Sequence, residues 1–374
     1  MPRPAHALLS LTVLVAGALA VSVPAPLLGR DLPALPGPSP RPRAAVDDPA
    51  EANARCESCH REIAAEWRGS LHQEAWHDPV FQKAYAVEPV AFCRSCHAPE
   101  ADAASYPSRA AQDVGIGCTT CHQQGADIVG ARDIAGSAEH HAVRGDARLA
   151  TKEACASCHQ FDFPRSKGQP MQDTLVEHAS SSLADVSCQS CHMAEVEGPD
   201  GKRHRAHDFS VISDPAMLAR AVDVVARRGD GGQLLFELEG REVGHAFPTG
   251  DMFRRLELRA EALDAEGKVV MTAPSVFLAR RFGDVAGAVS TISSKRVEIA
   301  DTRVPAPGRG VRKAVLRFPE PTTRLTVRWV VAYQRMDAAM AVSFDVDQAR
   351  DETIVARGLI PPVPAAKPKP KASP

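Results

Sequence analysis

Five times the chain reads Cys-x-x-Cys-His: Cys56/Cys59/His60, Cys93/Cys96/His97, Cys118/Cys121/His122, Cys155/Cys158/His159 and Cys188/Cys191/His192. These motifs use all 10 cysteines of the 374-residue chain. Two thiols three positions apart lie about one helical turn from each other. From there each can add to one vinyl group of a haem, and the histidine that follows is held beneath the macrocycle as an iron ligand. Zinc sites also use Cys-x-x-Cys units, but they need paired units and no histidine after each. A disulfide framework suits an even cysteine count in an exported chain, yet it leaves the five histidines without a role. The pattern predicts five covalently bound haem c groups, held through those ten cysteines and through His60, His97, His122, His159 and His192.

Iron held from one side can take a second ligand from the other. Apart from His6, eight further histidines are present: His72, His77, His140, His141, His178, His204, His207 and His245. They suffice to close all five irons with a second imidazole, which suits electron transfer rather than substrate binding. Met193 directly follows a motif histidine and reads as packing.

Several segments resemble the cytochrome c-552/4 family, relatives of hydroxylamine oxidoreductase and its tetrahaem electron carriers. Cys56 to His60 followed by Trp67-Arg-Gly-Ser70-Leu-His72-Gln-Glu-Ala75 is similar to the family's first motif and its W-x-x-S-x-H-x-x-A segment, which implies His72 as a distal ligand. Gly115-Ile-Gly-Cys118 resembles a G-V-x-C-x-x-C-H site with a downstream ligand, here His140 or His141. Cys188 to Met193 with His204-Arg-Ala-His207-Asp-Phe resembles a pattern that implies His207, and also His204, as ligands. Gly244-His245-Ala-Phe-Pro248-Thr249-Gly250 resembles a G-H-x-x-P-T-G segment found after haem arrays, which implies His245 as a ligand reaching out of a following domain. Two departures stand out. The hydroxylamine-oxidising enzymes carry eight haems and a crosslinked tyrosine, whereas this chain has five motifs and only Tyr85, Tyr106 and Tyr333. The Cys-x-x-Cys-Lys site of related nitrite reductases does not occur here.

The elements that must position these groups fall into two parts, giving an α + β two-domain fold class. Residues 51–212 read as a helical and loop-rich pentahaem cytochrome domain. Residues 213–358 read as an antiparallel β-sandwich. Ala221–Arg227 and Gln233–Glu239 flank the hairpin signal Gly229-Asp-Gly-Gly232. Leu256, Leu258, Ala260 and Ala262 alternate with charged residues, as in a half-buried strand. Later strands are expected at 314–318 and 325–333. Aromatic residues make up only 5% of the chain, so cofactors are expected to supply much of the core in the first part.

Residues 1–23 read as an export signal, with Ala18-Leu-Ala20 as a cleavage pattern and an uncleaved inner-membrane anchor as the alternative. Residues 24–50 read as a Pro/Ala-rich linker and 359–374 as a disordered Pro/Lys tail. A net charge of -2 gives no signal for nucleic acid. The composite expectation is a periplasmic electron carrier with unidentified redox partner proteins as donor and acceptor. Two other functions compete. One is an oxidoreductase acting on a small nitrogen or sulfur compound at an open haem, which ligand binding at one iron would reveal. The other is a complex subunit docked through its β-domain, which partner loss on domain removal would reveal.

Overall fold

The computed structural model describes residues 48–102, 105–136, 140–164, 166–199, 201–209, 214–284, 296–343, 345 and 352–364. The export signal, most of the linker and the end of the tail (365–374) lie outside the described residues. Among the described residues no helix is long and apolar enough to cross a membrane.

The motif-bearing part is built from short helices: α1 (Pro49–Cys59), α2 (Arg61–Trp67), α3 (Pro79–Val87), α4 (Ala91–His97), α5 (Arg109–Val114), α6 (Cys118–His122), α7 (Glu153–His159), α8 (Thr174–Ala179) and α9 (Cys188–His192). Each Cys-x-x-Cys-His sits at the end of one of them, which gives the two thiols the one-turn spacing that the motif requires. The first helix starts where Asp48 accepts from the amides of Ala50 and Glu51, with Pro49 in the first turn. Polar side chains tie the motif helices together. Buried Asn53 accepts from the Cys118 amide at 2.8 Å, and Glu100 accepts from the amide and hydroxyl of Thr120. Gln189 donates to the carbonyls of Leu149 and Thr151.

Small antiparallel ribbons that the sequence did not announce fill the gaps: β1 (Gln123–Gln124) with β2 (Asp127–Gly130), β4 (Gln160–Phe163) with β5 (Ser166–Asp173), and β6 (Glu195–Glu197) with β7 (Arg203–Arg205). The two-residue strand β3 (Arg144–Gly145) runs parallel to β2.

After the short helix α10 (Pro215–Arg220) the chain turns to strands: β8 (Val222–Arg228), β9 (Gln233–Gly240), β10 (Arg255–Leu263), β11 (Val269–Asp284), β12 (Arg296–Asp301), β13 (Arg312–Arg317), β14 (Thr326–Gln334) and β15 (Glu352–Ile360). They form a five-stranded antiparallel sheet, ordered β12-β11-β10-β14-β15, and a three-stranded one, β13-β9-β8. Leu234, Phe236 and Leu238 from the smaller sheet and Leu256, Leu258 and Val331 from the larger one meet in one core. The expected hairpin is present. Gly231 and Gly232 take φ of 59° and 80°, and a side chain on Gly232 would stand 2.7 Å from the Glu320 carbonyl. In the motif-bearing part the largest wholly local cluster is Trp76, Tyr85 and Ala98. Side chains alone build little core there.

The two parts meet along a polar seam. Arg280 donates to the carbonyls of Pro170 and Met171, and Ser182 donates to Pro307. Arg335, at the end of β14, bonds Asp78 at 2.8 Å, with side chains 13% and 12% exposed. Burial opposes ionisation of Asp78, but the hydrogen bond and charge of Arg335 prevail and hold its carboxyl below the usual range. Arg335→Met would strand that carboxylate, so unfolding of the mature protein is expected to become easier by about 3–5 kcal/mol. A loss under about 1 kcal/mol in denaturant titration is what an exposed pair would give, and would contradict this reading of the seam.

Candidate functional site

The five motif histidines do not sit against their neighbours in sequence; four of them face a histidine from another segment. His60 faces His141 with ring centres 6.2 Å apart, and His122 faces His207 at 6.2 Å. His159 faces His72 at 6.4 Å, and His192 faces His245 at 6.3 Å. These distances are too long for face-to-face stacking, yet nearly constant across four unrelated pairs. An imidazole nitrogen binds a first-row metal at about 2.0–2.1 Å and lies about 1.1 Å from its ring centre, so two imidazoles on one ion hold their centres about 6.3 Å apart. The spacing fits one iron between each pair.

Tautomers agree with that use. The Nδ1 atoms bond to backbone carbonyls: His97 to Ala75 (2.6 Å), His122 to Val129 (2.9 Å), His141 to Ala142 (3.2 Å), His207 to Arg205 (2.6 Å) and His245 to Ala246 (3.0 Å). A carbonyl only accepts, so Nδ1 carries the proton and donates, which leaves the lone pair on Nε2 for a metal. Charge points the same way. Burial, then the charges of His159 and other rings, lowers His72 to about 3. Burial lowers His159, His192 and His245 to about 4. These imidazoles are neutral at any ordinary pH, the form that coordinates.

Local structure explains how His72 arrives. Ser70 accepts from the Gln73 amide and Trp67 donates its indole N–H to the Ile116 carbonyl. The Ile116 amide bonds the His72 carbonyl, and a side chain on Gly115 (φ 58°) would stand 2.3 Å from the Gln73 carbonyl. Gly115, three positions before Cys118, is thus needed for the segment carrying His72 to pass close by.

The remaining histidines lie elsewhere. His204 bonds Glu66 at 2.8 Å, and the other oxygen of Glu66 accepts from the His207 amide. His77 bonds Asp113. His178 lies against Gly244, and His140 adds its charge near His60. Among the described residues, no histidine ring lies opposite His97. Its ring instead stacks on Phe81 at 3.6 Å and 5°. Sequence reasoning passed over Phe81 and Glu66, whose roles arise only from long-range packing.

The cysteines also meet across motifs. The thiols of Cys56 and Cys118 lie close enough to shift each other's ionisation, as do those of Cys96 and Cys158 and of Cys155 and Cys188. A motif cysteine would mark the edge of a haem attached to it, so each such neighbour pair would set two haem sites side by side.

The ten cysteines, alike in sequence, differ in burial. Cys59, Cys121 and Cys191, the second thiol of their motifs, are exposed, and the other seven are half-buried. Cys121 illustrates this exposure. The reason is local: α6 is a single short turn that buries Thr119 and Thr120, which leaves Cys121 outside the packed side. Protein side chains therefore do not enclose this thiol, and its role as an anchor rests on the motif spacing. Its charge still bears on Cys155, where it disfavours the thiolate, so the third motif lies beside the fourth.

Cysteine pairs that end in a histidine, with imidazoles set opposite at iron-spanning distance, define a multihaem c-type cytochrome. Residues 55–123 and 130–193 match the family model of cytochrome c554 and c-prime, and this motif-bearing region belongs to that family. The motif-bearing region is therefore that of a multihaem electron-transfer cytochrome with covalently bound haem c. A crystal structure of a penta-heme cytochrome c552 from Thermochromatium tepidum is similar in fold, with a TM-score of 0.66 and 20% identity over 84% of this chain and 100% of that one. No curated protein matches the chain.

Proposed function

We propose that this is an exported, periplasmic pentahaem cytochrome that passes single electrons between partner proteins over five closely spaced haems. When bound, each haem supplies one iron that exchanges a single electron. The observation that carries the reading is the constant 6.2–6.4 Å separation of the four histidine pairs. In this reading His60/His141, His72/His159, His122/His207 and His192/His245 close four irons, and His97 holds the fifth from one side. His140 and His204, also candidates from the motifs, serve instead as neighbours of those pairs. The ten motif cysteines, exposed Cys121 among them, form the thioethers. Their contacts arrange the sites as 56/59 beside 118/121, which lies beside 155/158, itself between 93/96 and 188/191. Residues 1–23 act as the export signal, and the two sheets form a β-sandwich domain docked on the haem domain.

A second reading has one specific observation in its favour. The site of His97 lacks a facing histidine among the described residues, which leaves an iron there open to a small nitrogen or sulfur compound. Electron transfer and turnover at that site are compatible, because the thiol contact of Cys96 with Cys158 joins it to the next site.

The ligand assignment is tested by a pair of substitutions three positions apart. His207→Ala is expected to convert one low-spin ferric haem to high spin, whereas His204→Ala leaves the low-spin count unchanged. Low-temperature magnetic circular dichroism of both variants decides. Conversion by His204→Ala and not His207→Ala would sink the assignment.

A further inference from the structure

His245 comes from a loop without regular structure, between β9 and β10, and must hold its ring against a site formed by a helix of the other part. A loop histidine gives up conformational freedom each time it ligates, so its position has to be fixed in advance. The fixing is visible just after it. The amide and carbonyl of Phe247 bond the carbonyl and amide of Val304. Arg303, next to Val304, donates to the Pro248 carbonyl at 3.0 Å and to Glu177 Oε1 at 2.6 Å. The other oxygen of Glu177 accepts from the Thr249 hydroxyl at 2.7 Å, and Thr249 also meets Thr174. Glu177 and Thr174 stand on α8, in the motif-bearing part.

One carboxylate thus grips the loop twice, through the side chain of Thr249 and, by way of Arg303, through the backbone of Pro248. Glu177 and Arg303 are 9% and 6% exposed in their side chains, and Asp301 completes the charge balance of the arginine. A buried ion pair is often no more stabilising than apolar groups of the same size, but it fixes geometry. We propose that Glu177 and Arg303 are positioning residues for axial ligation: the pair latches the 245–249 loop so that His245 stays on the iron opposite His192. This rests on the reading of His192 and His245 as an axial pair.

The two imidazole planes lie within 9° of parallel, so the latched site has a distinctive low-spin ferric signal. The test uses the full mature protein, its haem content checked by intact mass, with His245→Ala as reference. That reference variant should lose one low-spin signal in electron paramagnetic resonance. Arg303→Met and Glu177→Gln should alter or lose the same signal and no other, and move the midpoint potential of that one haem upward. A purely structural seam would lower the unfolding midpoint but leave signal and potential alone. That outcome, with His245→Ala still removing its signal, overturns the latch while the axial pair survives. No change in His245→Ala overturns the axial pair itself, and the latch with it. Should Arg303→Met fail to mature, Glu177→Gln and Thr249→Val, which keep side-chain shape, decide by the same readouts.

Discussion

Replacing Cys155 and Cys158 together by alanine is expected to remove one haem and to cut rapid electron exchange between the sites of His97 and His192. The reason is geometric. Cys158 lies beside Cys96 and Cys155 beside Cys188, so in the proposed arrangement the two outer sites would communicate through the haem held between them. Electron transfer falls steeply with edge-to-edge distance, and removing the middle group leaves a gap of about a macrocycle's width. Flash reduction followed by time-resolved absorbance would show the exchange phase slowed by orders of magnitude. The same double substitution at Cys56 and Cys59 also removes one haem, but should leave that phase intact. The Cys56 contact is with Cys118, outside the path. Equal rates in both variants would contradict the arrangement.

Carbon monoxide is expected to bind a single ferrous haem per chain. In the proposed pairing, four sites present a second imidazole set opposite the first, and a diatomic ligand would have to displace it. At the fifth, the His97 ring is fixed by its bond to the Ala75 carbonyl and by Phe81 stacked on its face, with no histidine opposite among the described residues. His207→Ala should raise the stoichiometry from one to two. Uptake of none, or of two or more by the unaltered protein, would show that the ligand pairs are wrong.

What could be read in the sequence and what could not divides along a physical line. The short helices that end in each Cys-x-x-Cys-His motif were legible because the motif needs its two thiols one helical turn apart. How deeply each thiol lies, as the exposure of Cys121 shows, depends on packing that spacing does not encode. The hairpin at 229–232 and the strand over 256–262 were legible because alternation and left-handed glycines are local signals. Strand β15 was not, in part because Gly358 interrupts it. That glycine lies under Trp329 of the neighbouring strand, where a side chain would meet the ring at 2.6 Å. The partner of each proximal histidine was equally hidden. His140 and His141 are adjacent, the alternatives His204 and His207 lie three positions apart within one motif, and spacing does not choose between the members of either pair. The choice is made by tertiary contacts. Glu66 engages the ring of His204 and only the backbone of His207, which leaves the His207 imidazole to face His122. The small ribbons of the motif-bearing part carry no periodic pattern, because that part is not organised around side-chain packing. Glu177 and Arg303 lie far apart in the chain, and no local signal links them.

The central claim is four irons closed by histidine pairs and one held by His97 alone. Quantitative electron paramagnetic resonance of the fully oxidised protein, with haem content fixed by intact mass, measures it directly. The expected spectrum integrates to four low-spin ferric haems and one high-spin haem, the latter perturbed by cyanide while the four stay unchanged. Five low-spin signals of equal weight, or two or more high-spin irons, would contradict it.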